Sequence, residues 1–430
     1  MASGAVPDNP SPRGAIAEVR LLISPCIKSG TRNINIRRLK IAFIATSYIP
    51  QRDGVSIYLE NLLAELLHQG SGPGVWIDRI DVFIGQHSLP TLSSLLQRQL
   101  DHLGCGEAMG RVEVCSVSHA HIAWEPWHVP QMVRKNGPYD LIVMPNMRPF
   151  LMIGRPTLSI LHDFTYKVAA RHVSTWRRMY SEGLVSWRLA RDHFIGVVSN
   201  TTRSALLQHY PWAARKRLVQ MPNGLPFKLA WIERPGTAVV EQRLMRDRLS
   251  FVVVGRINYL KGFDRVLKAC EAIERYFARS DVSITLHVVG KETSETKRLF
   301  SDKVLKKINI RRHGYIDDEA LNALYRESAF CFFLSRNEGF GLPLMEALWF
   351  RCVPVLSDLP IFREIMGDDF PLFDMEGAYG EAIAYFIVRL RDDEAFRQGL
   401  SEKMERVLEA HRDGYATAAR EVIKLCTAPA

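Results

Sequence analysis

Short, unbroken apolar runs recur along this 430-residue chain from Lys40 onward, and stretches with helical periodicity lie between them. "KIAFIATSY" (40–48) precedes "SIYLENLLAELLHQG", in which Leu59, Leu62, Leu63 and Leu66 mark one helical face. There follow "IDVFIG", a helical stretch near 91–103, "VEVCSV", "DLIVMP", "TLSILHD", a long helical stretch over 174–192, "FIGVVSN" and "LVQMPNG". A strand that is apolar at every position has no face to turn to water, so helices must cover both of its sides. That requirement points to a parallel sheet and an α/β fold.

The pattern lapses through "LPFKLAWIERPGTAVVEQRLMRDRLS" (225–250), which is rich in charge and carries Pro and Gly. A second series then runs through "FVVVGR" (251–256), a helix from about Phe263, "ITLHVVG", a helix near 295–306, "HGYI", the helix "DEALNALYRES", "AFCFFLS", a helix from Leu342, and "VPVLSD", with helices to the end. A chain of this length exceeds one ordinary core. The expected fold class is therefore α/β, with two Rossmann-like doubly wound domains facing a central cleft. The expected boundaries are a disordered tail over 1–38, a first domain over 39–228, a linker over 229–248, a second domain over 249–400, and helices over 401–430 that pack back toward the first domain.

Composition narrows the partners. The net charge of +10 favours phosphorylated ligands, nucleic acid or anionic membrane surfaces. No clustered basic arm or nucleic-acid module is evident, so nucleic acid is not an expected partner. Seven cysteines form no CxxC pair, which argues for a reducing compartment, and no apolar run is long enough to span a membrane. The expected location is cytoplasmic.

In open α/β sheets ligands bind at the carboxyl ends of the strands, and the informative residues stand there. "SRNEGFGLPLMEALWF" (335–350) follows "AFCFF". Gly339 and Gly341 permit close backbone approach, Pro343 suits a first helical turn, and free N–H groups around Phe340 and Leu342 face an anion. Glu346 lies one turn into the helix. A carboxylate there repels phosphate, so hydroxyls are its natural partners. Glu338, on the loop, is free to accept from a second polyol. Two such acids alone would more often be ordinary surface residues; the Gly-Pro setting reverses that weighting. Arg256 and Lys261 bracket "INYLKG" at another strand end, where two cations can neutralise a diphosphate. "VGRINYLKG" is not a GxGxxG dinucleotide fingerprint. Gly290 ends a further strand in "VVGKE", where nucleotide approach and a plain strand-to-helix turn are equally good readings.

Together Arg256, Lys261, "GYIDDEALNALYRES" and "SRNEGFGLPLMEAL" resemble the donor half of the retaining glycosyltransferases of family 4, which have the two-domain GT-B fold. The resemblance implies a nucleotide-diphospho-sugar donor, retention at the anomeric carbon, and no metal or other cofactor. It places Glu338 on the sugar hydroxyls, Glu346 on the ribose, and Arg256 and Lys261 on the diphosphate. In the first half, Gly54 resembles the glycine of the loop that approaches the donor phosphate, although Asp53 stands where a second glycine is common. His162 in "SILHDFTY" matches a His-Asp pattern and is placed to hydrogen-bond the transferring sugar. The resemblance leaves GDP, UDP and dTDP donors open and leans toward a mannosyltransferase. It suggests a glycan or lipid-linked acceptor in bacterial surface polysaccharide or lipopolysaccharide assembly. An epimerase of the same fold, or a basic nucleic-acid-binding protein, is the alternative.

Two further readings concern surfaces. Asp pairs at 317–318, 368–369 and 392–393 read as helix caps rather than as a metal-binding element. The helix over 174–191 sets Trp176 and Trp187 eleven residues apart on one face, beside Arg177 and Arg188. It reads first as a core helix, and second as a peripheral contact with an anionic membrane on the inner face of the cell membrane.

Overall fold

The computed structural model describes residues 37–49, 53–70, 75–117, 125–150, 156–168, 175–293, 297 and 305–427. The tail expected over 1–38 lies outside them, except that Arg37 and Arg38 open the first strand. The helix expected near 295–306 also falls mostly outside.

Seven strands form the first sheet: β1 (Arg37–Ile44), β2 (Val75–Gly85), β3 (Val112–Val117), β4 (Leu141–Met144), β5 (Thr157–Leu161), β6 (Phe194–Val197) and β7 (Arg217–Gln220). Six form the second: β8 (Arg248–Val254), β9 (Ser283–Val289), β10 (Ile308–Gly314), β11 (Phe330–Phe333), β12 (Val353–Ser357) and β13 (Leu372–Phe373). The orders are β3-β2-β1-β4-β5-β6-β7 and β10-β9-β8-β11-β12-β13. Neighbours run parallel in both sheets. Both are doubly wound, with the order reversing between β1 and β4 and between β8 and β11. A crevice opens at such a switch point because the flanking crossovers leave on opposite faces.

The core follows from the apolar runs. Every residue of β4, β5, β11 and β12 is buried. On helix Gly54–Gln69, Leu59, Leu62, Leu63, Leu66 and Leu67 pack into the first core. Each such leucine is worth about 1.5–3 kcal/mol relative to exposure. Strand β10 differs from expectation: it is "INIRRHG" rather than "HGYI". As an edge strand it alternates with charge and lacks the continuous apolar signature.

The stretch expected as a linker over 229–248 holds helix Val239–Leu244, whose Val240 and Leu244 join the second core. Its Arg243 is buried and donates to the carbonyls of Ser328 (3.1 Å) and Phe350 (2.9 Å). Near the C-terminus, helix Glu394–His411 packs into the second core and helix Gly414–Thr427 into the first. The crossover is tight: a Cβ on Gly414 would stand 2.0 Å from the carbonyl oxygen of Asn223.

Helix Thr175–Arg191 packs into the first domain as expected of a core helix, but not through Trp176. Its inward face is Val185, Arg188 and Leu189, so Trp176 is 74% exposed and stacks on Tyr180 instead of entering the core. Arg188 is buried, with Nε 2.9 Å from Asp192 and Nη1 2.8 Å from the Phe150 carbonyl, which removes it from any membrane-facing stripe. The side chain of Arg177 lies outside the described residues. The capping reading holds for Asp317 and Asp393, which accept from Ala320 and Phe396. It fails for Asp368 and Asp369, which follow helix Pro360–Met366; Asp369 pairs with Lys403 at 2.8 Å.

Candidate active site

Adjacent strands β8 and β11 send their following loops side by side into the cleft. Gly262 makes their contact possible. It has φ +65, caps helix Phe263–Tyr276, and a Cβ on it would lie 1.8 Å from the Leu334 carbonyl oxygen. Arg336 then clamps the two loops together. Its guanidinium bonds both oxygens of Asp264 at 2.7 Å, donates to the Tyr259 carbonyl at 2.7 Å, and lies 3.6 Å from the Tyr259 ring centroid. Burial would raise the Asp264 pKa, but Arg336 more than offsets this and holds it below the usual carboxylate range.

Within this frame Lys261 and Glu338 meet directly. The ammonium lies 2.5 Å and 2.6 Å from the two carboxylate oxygens. Lysine has three N–H donors, so one remains. Arg256 takes no part in this pair; it is exposed just beyond β8 and has no ion-pair partner among the described residues.

Glu346 sits on helix Leu342–Trp349 and is 4% exposed. One oxygen lies 2.6 Å from Lys228 Nζ, and the other accepts from the Tyr325 hydroxyl at 3.2 Å. Burial alone would lower the Lys228 pKa, yet Glu346 and Asp318 beside it raise it above the ordinary lysine value. Sequence reasoning missed Lys228 and Tyr325. Lys228 lies far from Glu346 in sequence, inside the charge-rich stretch after β7, and offered no signal. Arg336 stands in the quoted loop, but nothing local announced its partner Asp264.

Two helices begin face to face across the cleft. Helix Leu342–Trp349 starts after Gly341, whose φ of +92 is a left-handed geometry that favours glycine. Opposite, Asp53 caps helix Gly54–Gln69 by accepting from Ser56 N at 2.9 Å, which explains an acid at that position. A Cβ on Gly54 would touch Leu342 Cδ1 at 3.9 Å. Both helix starts present unpaired N–H groups and positive dipole ends to the same place, an arrangement suited to an anion. Phe340 is buried beside His411, with ring centroids 5.8 Å apart.

His162 approaches from the first domain. Its Nε2 donates to the Pro145 carbonyl at 2.7 Å, and its ring meets Tyr58 edge-on at 5.1 Å. Burial lowers its pKa, only partly offset by the Pro145 bond, so the neutral ring carries its open lone pair on Nδ1. A Cβ on Gly339 would lie 2.4 Å from the His162 carbonyl oxygen. Asn337 Nδ2 bonds Thr165 Oγ1 at 3.1 Å, and Glu364 accepts from Asn200 N and Thr201 N at 2.7 Å each. These contacts hold the two domains together around the cleft. Gly290 is explained by the fold: with φ +129, its Cβ would stand 1.9 Å from the Gly255 carbonyl oxygen, so strand-end packing alone demands glycine.

Two doubly wound domains facing one another across such a cleft define the GT-B fold. Residues 240–406 match the family Glycosyl transferases group 1. The serotype-specific mannosyltransferase WbdA of Escherichia coli is 32% identical over 120 residues, which is 27% of this chain and 14% of that protein's length. In fold the chain is similar to Anabaena Alr3699/HepE, solved in complex with UDP-glucose, at a TM-score of 0.63 and 14% identity, covering 91% of this chain and 100% of that one. It is similar also to WaaG, a glycosyltransferase involved in lipopolysaccharide biosynthesis, at a TM-score of 0.62 and 14% identity, covering 90% of this chain and 100% of that one. No helix among the described residues is long and apolar enough to cross a membrane.

Proposed function

We propose that the chain is a glycosyltransferase that moves a hexose from a nucleotide-diphospho-sugar to a glycan or lipid-linked acceptor with retention at the anomeric carbon. The observation that carries this reading is the convergence of two helix starts, at Gly54 and Leu342, beside the Lys261–Glu338 pair. In this reading the diphosphate lies between the helix starts. The third N–H of Lys261 and the exposed Arg256 draw off the charge that gathers on the departing phosphate. Glu338 accepts from the sugar hydroxyls. Glu346, with one oxygen on Lys228 and the other on Tyr325, presents its remaining lone pairs to the ribose hydroxyls. His162 offers a neutral Nδ1 to a hydroxyl of the transferring sugar, and the leaving phosphate oxygen takes the acceptor proton. The fixed positive charge of the site supplies what a metal would, so the transfer is proposed to need none.

The likeness to a mannosyltransferase over part of the chain favours mannose, and the similarity in fold to WaaG favours surface polysaccharide or lipopolysaccharide assembly. Such work would place the protein in the cytoplasm, against the inner face of the membrane. The test is a thermal-shift screen with GDP-mannose, UDP-glucose and dTDP-glucose. A true donor at a hundred times its Kd adds about 2.7 kcal/mol to stability. A flat response to all three rejects the proposal.

A further inference from the structure

The two faces of the first sheet are covered by helices of opposite character. Alternate residues of β4 point to opposite sides. Leu141 and Val143 pack with helices Gly54–Gln69, Leu89–His102 and Gly414–Thr427, whereas Ile142 and Met144 pack with helix Glu125–Asn136. Ser159 of β5 stands beside Met144 in register, and Arg188 of helix Thr175–Arg191 donates to its hydroxyl at 3.2 Å. Ile195 of β6 follows in register and shares a cluster with Leu206 of helix Asn200–His209. Helices Glu125–Asn136, Thr175–Arg191 and Asn200–His209 thus form one layer on the second face.

This layer is basic. Its three helices carry seven Lys or Arg against two Asp or Glu, and Glu182, one of the two, is held by Lys167 at 2.6 Å. The three helices on the other face carry three against four, so the positive charge belongs to one side of the domain. The same layer is also apolar where it meets water. Of the ten large apolar side chains exposed among the described residues, four stand on it (Trp127, Trp176, Met179 and Tyr180) and none on the helices opposite. Trp176, Met179, Tyr180 and Gly183 recur at i, i+3, i+4 and i+7, away from the inward Val185 and Leu189, and Arg191 lies further along that outward side. On helix Glu125–Asn136 the exposed stripe is Trp127, Gln131, Arg134 and Lys135.

A helix over a core ordinarily turns charge outward. One that turns Trp, Met and Tyr outward between cations needs a partner offering anionic charge and apolar depth together. A headgroup layer over acyl chains offers both, and indole and phenol rings settle at that boundary. We infer that the outward face of this layer is a docking surface for an anionic lipid bilayer, with Trp127, Trp176, Met179 and Tyr180 in the headgroup region and Arg134, Lys135 and Arg191 on lipid phosphates. A helix joining parallel strands must run back against them, so Trp127 and Trp176, in the first turns of their helices, lie at the carboxyl ends of the strands. The docked bilayer therefore reaches the rim of the cleft. The inference stands apart from the transferase reading, since it uses no residue of the donor site.

The test is co-sedimentation of the full chain with vesicles of phosphatidylcholine alone and of equimolar phosphatidylcholine and phosphatidylglycerol. Binding is expected on the mixed vesicles, falling as salt is raised, and much weaker on the neutral ones. Trp176→Ser/Met179→Ser and, separately, Arg134→Glu/Lys135→Glu should each weaken it at least about tenfold. Both variants should melt like the parent, because all four side chains are exposed. Arg420→Glu/Lys424→Glu makes the same charge change on the opposite layer and should leave binding unaltered. Glu338→Ala should do likewise, so that failure at the donor site and failure to dock are read separately. The inference is overturned by no binding to the mixed vesicles, by equal binding to both preparations, or by full binding in either variant of the layer. Equal loss in the Arg420/Lys424 variant, or capture on a polynucleotide resin without capture on vesicles, overturns it too.

Discussion

Gly339 and the carbonyl oxygen of His162 touch across the cleft so closely that a single added Cβ would sit 2.4 Å from that oxygen. The contact joins the loop carrying Glu338 to the strand end carrying His162, so the two halves of the candidate site are set by one backbone approach.

Gly339→Ala should therefore act on catalysis more than on stability. The added methyl pushes the loops apart by a fraction of an ångström to an ångström, which in a site that works by positioning costs about 10–100-fold in kcat/KM. Steady-state kinetics beside a thermal melt checks this. An unaltered kcat/KM contradicts it.

Lys228→Met should be among the most damaging single changes in the second domain. It leaves the buried Glu346 without its cation, at a cost of about 3 kcal/mol. Lys228→Met/Glu346→Gln should recover most of the loss, because no uncompensated charge remains. The pH dependence has a definite sign. Because the folded pKa is raised, the contribution of Lys228 is complete below the unfolded value of about 10.4 and is lost as pH rises through the folded value. Urea melts from pH 7 to pH 11 should show the gap between parent and variant closing only at the alkaline end.

For His162 the sign is opposite. Burial lowers its pKa, so as pH falls below about 6.5 the unfolded chain takes up a proton that the folded chain resists, and stability declines. An NMR titration should place its ring proton signal on a curve with a midpoint below the ordinary histidine value. A midpoint above it contradicts the burial described here.

Glu364 reaches across the cleft to the first two N–H groups of helix Asn200–His209, at 2.7 Å each. Loss of such a cap on an exposed helix start costs about 0.5–1 kcal/mol. Glu364→Ala should thus shift the population toward open forms by a factor of about 2–5, seen as a larger radius of gyration in small-angle scattering.

The sequence disclosed the sheets because their central strands are apolar at every position, and a strand buried on both faces leaves that mark. It concealed β10, an edge strand whose Arg311 and Arg312 break the pattern, and β13, which is only two residues long. Lys261 and Glu338 were legible because each lies at a strand end with its own local motif. Lys228 was not, since an ion pair between distant segments leaves no periodicity and no spacing. Trp176 misled for a related reason. Helical spacing tells which residues share a face, but not which face turns inward. Trp176→Ala should accordingly change stability by no more than about 0.5 kcal/mol.

The sharpest test is a crystal of the full chain soaked with GDP-mannose and, separately, with UDP-glucose. Phosphorus density is expected between Gly54 and Leu342, within reach of Lys261, with ribose hydroxyls on Glu346. Donor density elsewhere on the molecule, with the space between those helix starts left vacant, contradicts it.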